Sequence, residues 1–307
     1  MALVLLALAG CAAGPELRVV RDAGVAPELS DVPFFAQDLH QCGPAALATV
    51  LVASGVEVSP EQLAPQIYLP ERRGSLQVEL LAATRRHGKV PLPLPGHIQP
   101  LLDELRAGRP VLVFQNLGLD RLPVWHYAVL IGFDAKRQQF LLRSGTDRRV
   151  EMDAKKFLGS WDRGGRWAMV VAAASEPPAS AEVMSWLQAL APFESLGQLD
   201  LAAQGYTAAV TRWPQDARTW TALGNVRYRQ DRLADAEAAY LRALQESPDQ
   251  WVARNNLVQA LLDRGCRDAA SAWSTAAGTP PPPMASTWAE TLARLASAPN
   301  GRCTAAS

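Results

Sequence analysis

Two residues in this chain have the types and settings for nucleophilic chemistry. Cys42 opens the run Cys42-Gly43-Pro44-Ala45-Ala46-Leu47, and His126 opens His126-Tyr127-Ala128-Val129-Leu130-Ile131-Gly132. Gly43-Pro44 can start a helix, because proline in the first turn gives up no hydrogen bond that the helix needs. A thiol at that N-terminus feels the positive end of the helix dipole, which favours the attacking thiolate. A nearby imidazole would lower the thiol pKa further and store a thiolate–imidazolium pair. The competing reading of Cys42 is a small buried hydrophobe, and that of His126 a satisfied core histidine at a strand end.

The elements that must position these groups can be read from the apolar pattern. His126 follows a loop over 117–123 and leads an apolar strand; a second strand at 140–144 follows the polar tetrapeptide Asp134-Ala135-Lys136-Arg137. A tight hairpin centred on Ala135-Lys136 would set residues whose numbers sum to about 271 opposite each other, so His126 would face Ser144-Gly145. Ser144 is then the candidate to orient the imidazole, with Asp147 the charged alternative. Gln37, five residues before Cys42, can set its amide beside the Cys42 N–H as an oxyanion donor, or be only a polar loop residue, as Gln41 is expected to be. Helices are expected near 60–66 and 75–87, and strands near 111–115, 126–133, 139–144 and 167–172. Leu76, Leu80, Leu81 and Ala83 should turn one face of the 75–87 helix to the sheet. His87 and His97 read as structural or solvated; His40 lies close to Cys42 but in a loop that gives it no fixed geometry.

Taken together, Val32-Pro33-Phe34-Phe35-Ala36-Gln37, the Cys42 run, Gly108-Arg109-Pro110-Val111-Leu112-Val113, the His126 run and the aromatics Phe157, Trp161 and Trp167 resemble the bacterial double-glycine (bacteriocin-processing) peptidases and their stand-alone relatives. The resemblance implies an α+β papain-like cysteine peptidase domain over 31–174, an N-terminal helix plus an antiparallel sheet. Residue by residue it implies Cys42 as nucleophile, His126 as general base and acid, and Gln37 as oxyanion residue. Two departures stand out. The glutamine lies one residue closer to the cysteine than is usual in that family, and Ser144-Gly145 stands where Asp-Pro is common. The missing carboxylate bears on catalytic power more than on fold. No membrane-spanning run and no phosphate-loop motif accompany the domain, so the transporter often fused to these peptidases is not expected here.

After a proline-bearing linker at 175–181 the pattern turns to Ala- and Leu-rich helices with a 34-residue period. Pro214, Pro248 and Pro282 recur, as do Ala202, Ala236 and Ala270, Trp186 and Trp220, and Tyr206 and Tyr240. The unit carrying Trp220, Leu223, Gly224, Ala236, Tyr240, Ala243 and Pro248 resembles a tetratricopeptide repeat. An all-α repeat domain is therefore expected over 182–297, with weaker outer units (Leu190 for the glycine, Arg254 for the tryptophan), a capping helix near 286–296 and a tail over 298–307.

At the other end, residues 1–11 are apolar and close with Leu8-Ala9-Gly10-Cys11, the pattern of a lipoprotein signal whose cysteine receives lipid, with 12–30 as linker. The run is too short to span a bilayer. It lacks a basic n-region, the first cation being Arg18, so the natural start is expected upstream of Met1. The expected location is the cell envelope, a periplasm-facing lipoprotein of the Gram-negative outer membrane, touching membrane through its lipid anchor only. Lys+Arg 30 against Asp+Glu 30 gives no net charge to attract nucleic acid, and four cysteines and four histidines without paired spacing give no metal site or cofactor. Cys266 and Cys303 are expected to be unpaired. The function these readings favour is a cysteine peptidase acting on a peptide or protein, with repeats that recruit a protein partner. The alternatives are a catalytically weak peptide-binding or assembly scaffold, and acyl transfer to an amine through the same thioester.

Overall fold

The structure, a computed structural model, describes residues 15–36, 42–72, 74–276, 278–301 and 303. It divides into two compact units, one running to Val171 with Pro178–Ser180, the other Ala172–Pro177 with the chain from Ala181. The first unit begins with α1 (Pro15–Asp22) and α2 (Cys42–Ala53), then α3 (Pro60–Ile67), the two-residue strands β1 (Tyr68–Leu69) and β2 (Gly74–Ser75), α4 (Gln77–Arg86), β3 (Val90–Pro93) and α5 (Ile98–Arg106). Strands β4 (Val111–Asn116), β5 (Trp125–Asp134), β6 (Gln139–Ser144) and β7 (Asp147–Asp153) follow, then α6 (Ala154–Arg163) and β8 (Ala168–Ala172). The large sheet has the order β3-β8-β4-β5-β6-β7, and the pairings of β4 with β5 and β8, β5 with β6 and β6 with β7 are all antiparallel.

Helix α2 is apolar on every side, and every residue from Gly43 to Leu51 is buried, as a central helix must be. Its side chains share one core with Leu112, Tyr127, Val129, Ile131, Leu141 and Met169 from one face of the sheet and with Leu63, Leu80 and Ala83 from α3 and α4. On the opposite face Phe133, Phe140 and Phe157 pack in series with tilted rings, and Gln115 donates to Ser160 of α6 at 2.7 Å. Helix α3 starts with a reciprocal capping box between Ser59 and Gln62. Leu76, expected on the core face, sits exposed at the N-cap of α4 instead. The edge strand β3 carries Pro91 and Pro93, which suits an edge because proline cannot donate to a ladder.

The β5–β6 hairpin differs from expectation in register. Phe133 pairs with Phe140 and Val129 with Arg143, so the turn lies one residue further along than Ala135-Lys136, and a bulge falls at Ile131. A bulge leaves backbone groups outside the ladder. Here the Ile131 carbonyl takes the N–H of Leu29 at 2.7 Å, and Ala26 bridges to Phe133. The segment 26–32 thus lies along β5. A Cβ on Gly132 would come within 2.9 Å of the Glu28 backbone, so only glycine admits this approach. Buried Arg143 completes the attachment, donating to the carbonyls of Val32 (3.0 Å), Ser30 (3.1 Å) and Arg148 (2.6 Å).

The second unit is helical: α7 (Val183–Ser195), α8 (Leu199–Arg212), α9 (Ala217–Arg229), α10 (Leu233–Glu246), α11 (Trp251–Asp263), α12 (Arg267–Thr275) and α13 (Ala285–Ser297). Val183, Ala217, Trp251 and Ala285 open helices 34 residues apart, as do Leu199, Leu233 and Arg267. Gly224 of α9 lies where a Cβ would meet the Tyr240 ring at 2.4 Å. In the preceding pair Leu190 fills the glycine's place, and Gly205 across from it makes the room, with Leu190 2.3 Å from its would-be Cβ. The expectation that Cys266 and Cys303 stay unpaired is wrong: they form a disulfide. The tail folds back on α12, where Arg267 reaches Asn300 at 3.0 Å and Asp268 N–H reaches the Gly301 carbonyl at 3.3 Å, and this carries Cys303 to Cys266. Closing this 37-residue separation should contribute about 2–4 kcal/mol. Cys303→Ser is expected to lower the unfolding free energy measured by urea denaturation by that amount, with a matching fall in the midpoint, and reductant should have the same effect on the native chain and none on the variant.

Candidate active site

The first turn of α2 is where the pieces converge. Gly43 packs so closely that a Cβ there would meet Ser75 Cβ at 2.6 Å and Oγ at 2.4 Å, with the Tyr127 ring at 3.8 Å. This tight approach is what the glycine after Cys42 is for. The backbone N–H groups of Tyr127, Gly43 and Cys42 lie near enough to the Cys42 sulfur to favour its ionised form. The Tyr127 N–H belongs to the peptide unit that joins it to His126, so the thiol sits against the backbone of the candidate base. Tyr127 is held in turn by its hydroxyl, which donates to the Ser75 carbonyl at 3.1 Å, and by its ring against Phe114 (4.6 Å between centroids) and Trp167 (6.0 Å).

His126 pairs across the ladder with Gln115, and its Nε2 lies 2.8 Å from Ser144 Oγ. Ser144 itself ends β6, its Cα paired with Asp147. The carboxylate-bearing Asp147 is exposed, so the half-buried serine is the group beside the ring. With Nε2 turned to Ser144, Nδ1 is the nitrogen left for a proton from sulfur. Gln37, His40, Gln41 and Cys11 lie outside the described residues. Among the described residues Cys42 is the free cysteine, and no three His, Cys, Asp or Glu side chains gather to hold a metal ion.

The charge state runs against the expectation of a stored ion pair. Burial pushes the Cys42 thiol above its ordinary value and outweighs the three backbone hydrogen bonds that pull it down. The same burial pushes the His126 imidazole below its ordinary 6.5. Both shifts favour neutral thiol and neutral imidazole at rest. Three positioning residues were missed in the sequence: Tyr127, Ser75 and Arg143. Gly43 signalled the close approach at Ser75 and Tyr127, and an arginine inside the apolar run Phe140-Leu141-Leu142-Arg143 signalled a buried cation.

Residues 29–169 match the Peptidase C39-like family. Solved structures similar to this chain include a C39-like peptidase from Bacillus anthracis, 23% identical over 46% of this chain and 94% of that one, TM-score 0.39. A double glycine motif protease from an AMS/PCAT transporter, in complex with the leader peptide, is 22% identical over 49% of this chain and 94% of that one, TM-score 0.37. The peptidase domain of Streptococcus ComA, a bi-functional ABC transporter involved in a quorum sensing pathway, is 22% identical over 46% of this chain and 98% of that one, TM-score 0.38. Among curated proteins, Protein O-mannosyl-transferase TMTC1 of Mus musculus is 42% identical over 66 residues, 22% of this chain; the chain spans only 7% of that protein.

The pKa directions in the C39-like domain give a signed prediction. A raised thiol pKa means that the thiolate fraction, and with it the rate of alkylation by iodoacetamide, keeps rising through and beyond the free-thiol range near pH 8.5. Cys42 alkylation measured across pH should therefore show no plateau between pH 5 and 8; a plateau there would mean a stored ion pair.

Proposed function

We propose that the C39-like domain is a cysteine peptidase of the double-glycine type that works by general-base attack rather than from a preformed thiolate. The observation that carries this is the joint placement of the Cys42 sulfur on the Tyr127 amide and of His126 Nε2 on Ser144. His126 Nδ1 takes the thiol proton as Cys42 Sγ attacks the peptide carbonyl. The proton then goes to the departing amine, and water, activated by the same imidazole, hydrolyses the thioester. Gln37 with the Cys42 N–H is assigned to the oxyanion, and the substrate is a peptide whose scissile bond follows small residues. Ser144 holds the tautomer without adding charge, so the imidazolium formed in the transition state lacks the carboxylate that would stabilise it.

A second reading has an observation of its own. Neutral resting groups and a serine in the orienting place suit a domain that binds peptides with weak chemistry, while the helical unit, read as tetratricopeptide repeats on its 34-residue helix spacing, recruits a partner protein. For location we propose a lipoprotein of the cell envelope, lipidated at Cys11 and facing the periplasm. The Cys266–Cys303 disulfide supports an oxidising compartment.

Peptide cleavage kinetics separate the two readings. A peptidase should lose all turnover in Cys42→Ala and His126→Ala and lose about tenfold in kcat/KM in Ser144→Ala, the loss of one hydrogen bond of about 1.4 kcal/mol. Ser144→Asp should gain, because a carboxylate stabilises the imidazolium. Peptide binding with no turnover in the native chain or in Ser144→Asp would leave the binding reading.

A further inference from the structure

The chain between β4 and β5 turns an apolar surface to solvent. Leu122 is 74% exposed and Leu119 70%, the two most exposed large apolar side chains among the described residues, and Val124 (56%) and Trp125 (53%) continue the surface to the residue before His126. Exposure on this scale is ordinarily a sign of floppy chain, but this hairpin is built. Leu119 and Leu122 exchange two backbone hydrogen bonds, at 3.2 and 3.0 Å, and Leu117 N–H reaches the Val124 carbonyl at 2.9 Å. Asn116, itself buried, accepts the N–H groups of Gly118 (3.0 Å) and Val124 (2.9 Å) on its Oδ1. A Cβ on Gly118 would lie 2.3 Å from the Leu122 carbonyl, so the hairpin closes on a glycine. Trp125 stacks on Phe114 with centroids 5.3 Å apart. A rigid hairpin that spends hydrogen bonds and a glycine on presenting leucines to solvent has an apolar occupant for them.

The start of the described chain points to which one. Glu16, the second residue of α1, accepts the Ile98 N–H at 2.9 Å and Arg166 Nη1 at 3.4 Å. Two residues before Arg166, Gly164 lies against the backbone of Phe114 and Gln115, and Arg163 donates to the Asn116 carbonyl at 3.1 Å, at the foot of the hairpin. Pro15 therefore enters at the end of the first unit that carries the hairpin. Three residues separate Cys11 from Pro15, four chain steps that reach at most about 14 Å. On the lipoprotein reading proposed above, on which this rests, a lipid on Cys11 holds that end of the unit at the bilayer.

We propose that the 117–125 hairpin is a second membrane contact, seating Leu119, Leu122 and Val124 among the acyl chains with Trp125 at headgroup level, where indoles are favoured. Asp120 offsets Arg121 at the tip, so the contact is apolar in character and does not depend on anionic lipid. The tether supplies effective concentration, so a weak contact is enough to be populated. Because Trp125 precedes His126, the contact holds the active site of the C39-like domain at the membrane face and turns it to substrates presented there.

The test uses the full-length Cys11→Ser protein, which has no lipid, and vesicles of phosphatidylethanolamine with phosphatidylglycerol. Co-sedimentation against lipid concentration should show partition that falls at least about tenfold in Leu119→Ser/Leu122→Ser, whose circular dichroism should be unchanged because both positions are exposed. Equal partition of the two proteins, or none in either, overturns the proposal. So does a double variant that partitions normally but shows a raised KM for peptide, which would assign the surface to substrate. Mass spectrometry of the native chain at Cys11 reports on the tether separately: an unacylated Cys11 with partition lost in the double variant sinks the lipoprotein reading and leaves the hairpin contact standing.

Discussion

The contact on which the site depends is the seating of the first turn of α2 against Tyr127. Gly43 lets the turn approach until the Cys42 sulfur meets the Tyr127 N–H, while the Tyr127 hydroxyl reaches past it to the Ser75 carbonyl. The proposed nucleophile and base are thereby referred to one peptide unit, since the N–H near the sulfur follows the carbonyl of His126. The same closeness leaves Cys42 and His126 only partly exposed. Partial burial strengthens each hydrogen bond within the site and makes each unpaired charge expensive. Geometry and ionisation therefore pull in opposite directions, and the thiol and imidazole both shift toward their neutral forms.

The rest of the first unit serves that contact. The bulge at Ile131 frees a carbonyl for Leu29, Gly132 gives the 26–32 segment room, and Arg143 ties Ser30 and Val32 to the strand that ends in Ser144. One cation, on the residue beside the serine that is hydrogen-bonded to His126, thus holds the chain leading toward Cys42. Arg143 is buried without a carboxylate partner among these contacts and is satisfied by backbone carbonyls instead. Carbonyl dipoles can hold a guanidinium where a lone carboxylate would have added its own desolvation cost.

Much of this could be read from residue order because the signals were local. Cys42-Gly43-Pro44 marked a helix start, and His126 ahead of six apolar residues marked a strand. What the sequence withheld was non-local or depended on burial. Strand β3 and the start of helix α5 fall in the proline-rich stretch 90–100, which hides a helix whose Pro100 sits in its first turn, where proline is tolerated. Strand β7 is nearly all charged, as an exposed edge can be, and offers no alternation to find. The register error came from the turn, which closes between Asp134 and Gln139 as a four-residue loop over 135–138 in place of a tight turn on Ala135-Lys136, and the bulge at Ile131 takes back part of the offset. The disulfide depended on the tail folding back over α12, and the direction of the thiol shift depended on how far the fold buries Cys42. Leu190 looked like a defect in the repeat pattern until Gly205 appeared opposite it.

The central claim is that Cys42 forms a covalent bond to its substrate with His126 as base. Acid-quenched intact-protein mass spectrometry during turnover of a peptide ester tests it most directly, because an activated ester acylates quickly and the thioester survives acid. The account predicts a mass increase equal to the acyl group, mapped to Cys42 and absent in His126→Ala. Bound peptide with no acyl mass on Cys42 at any pH, or acylation that His126→Ala leaves unchanged, would contradict it.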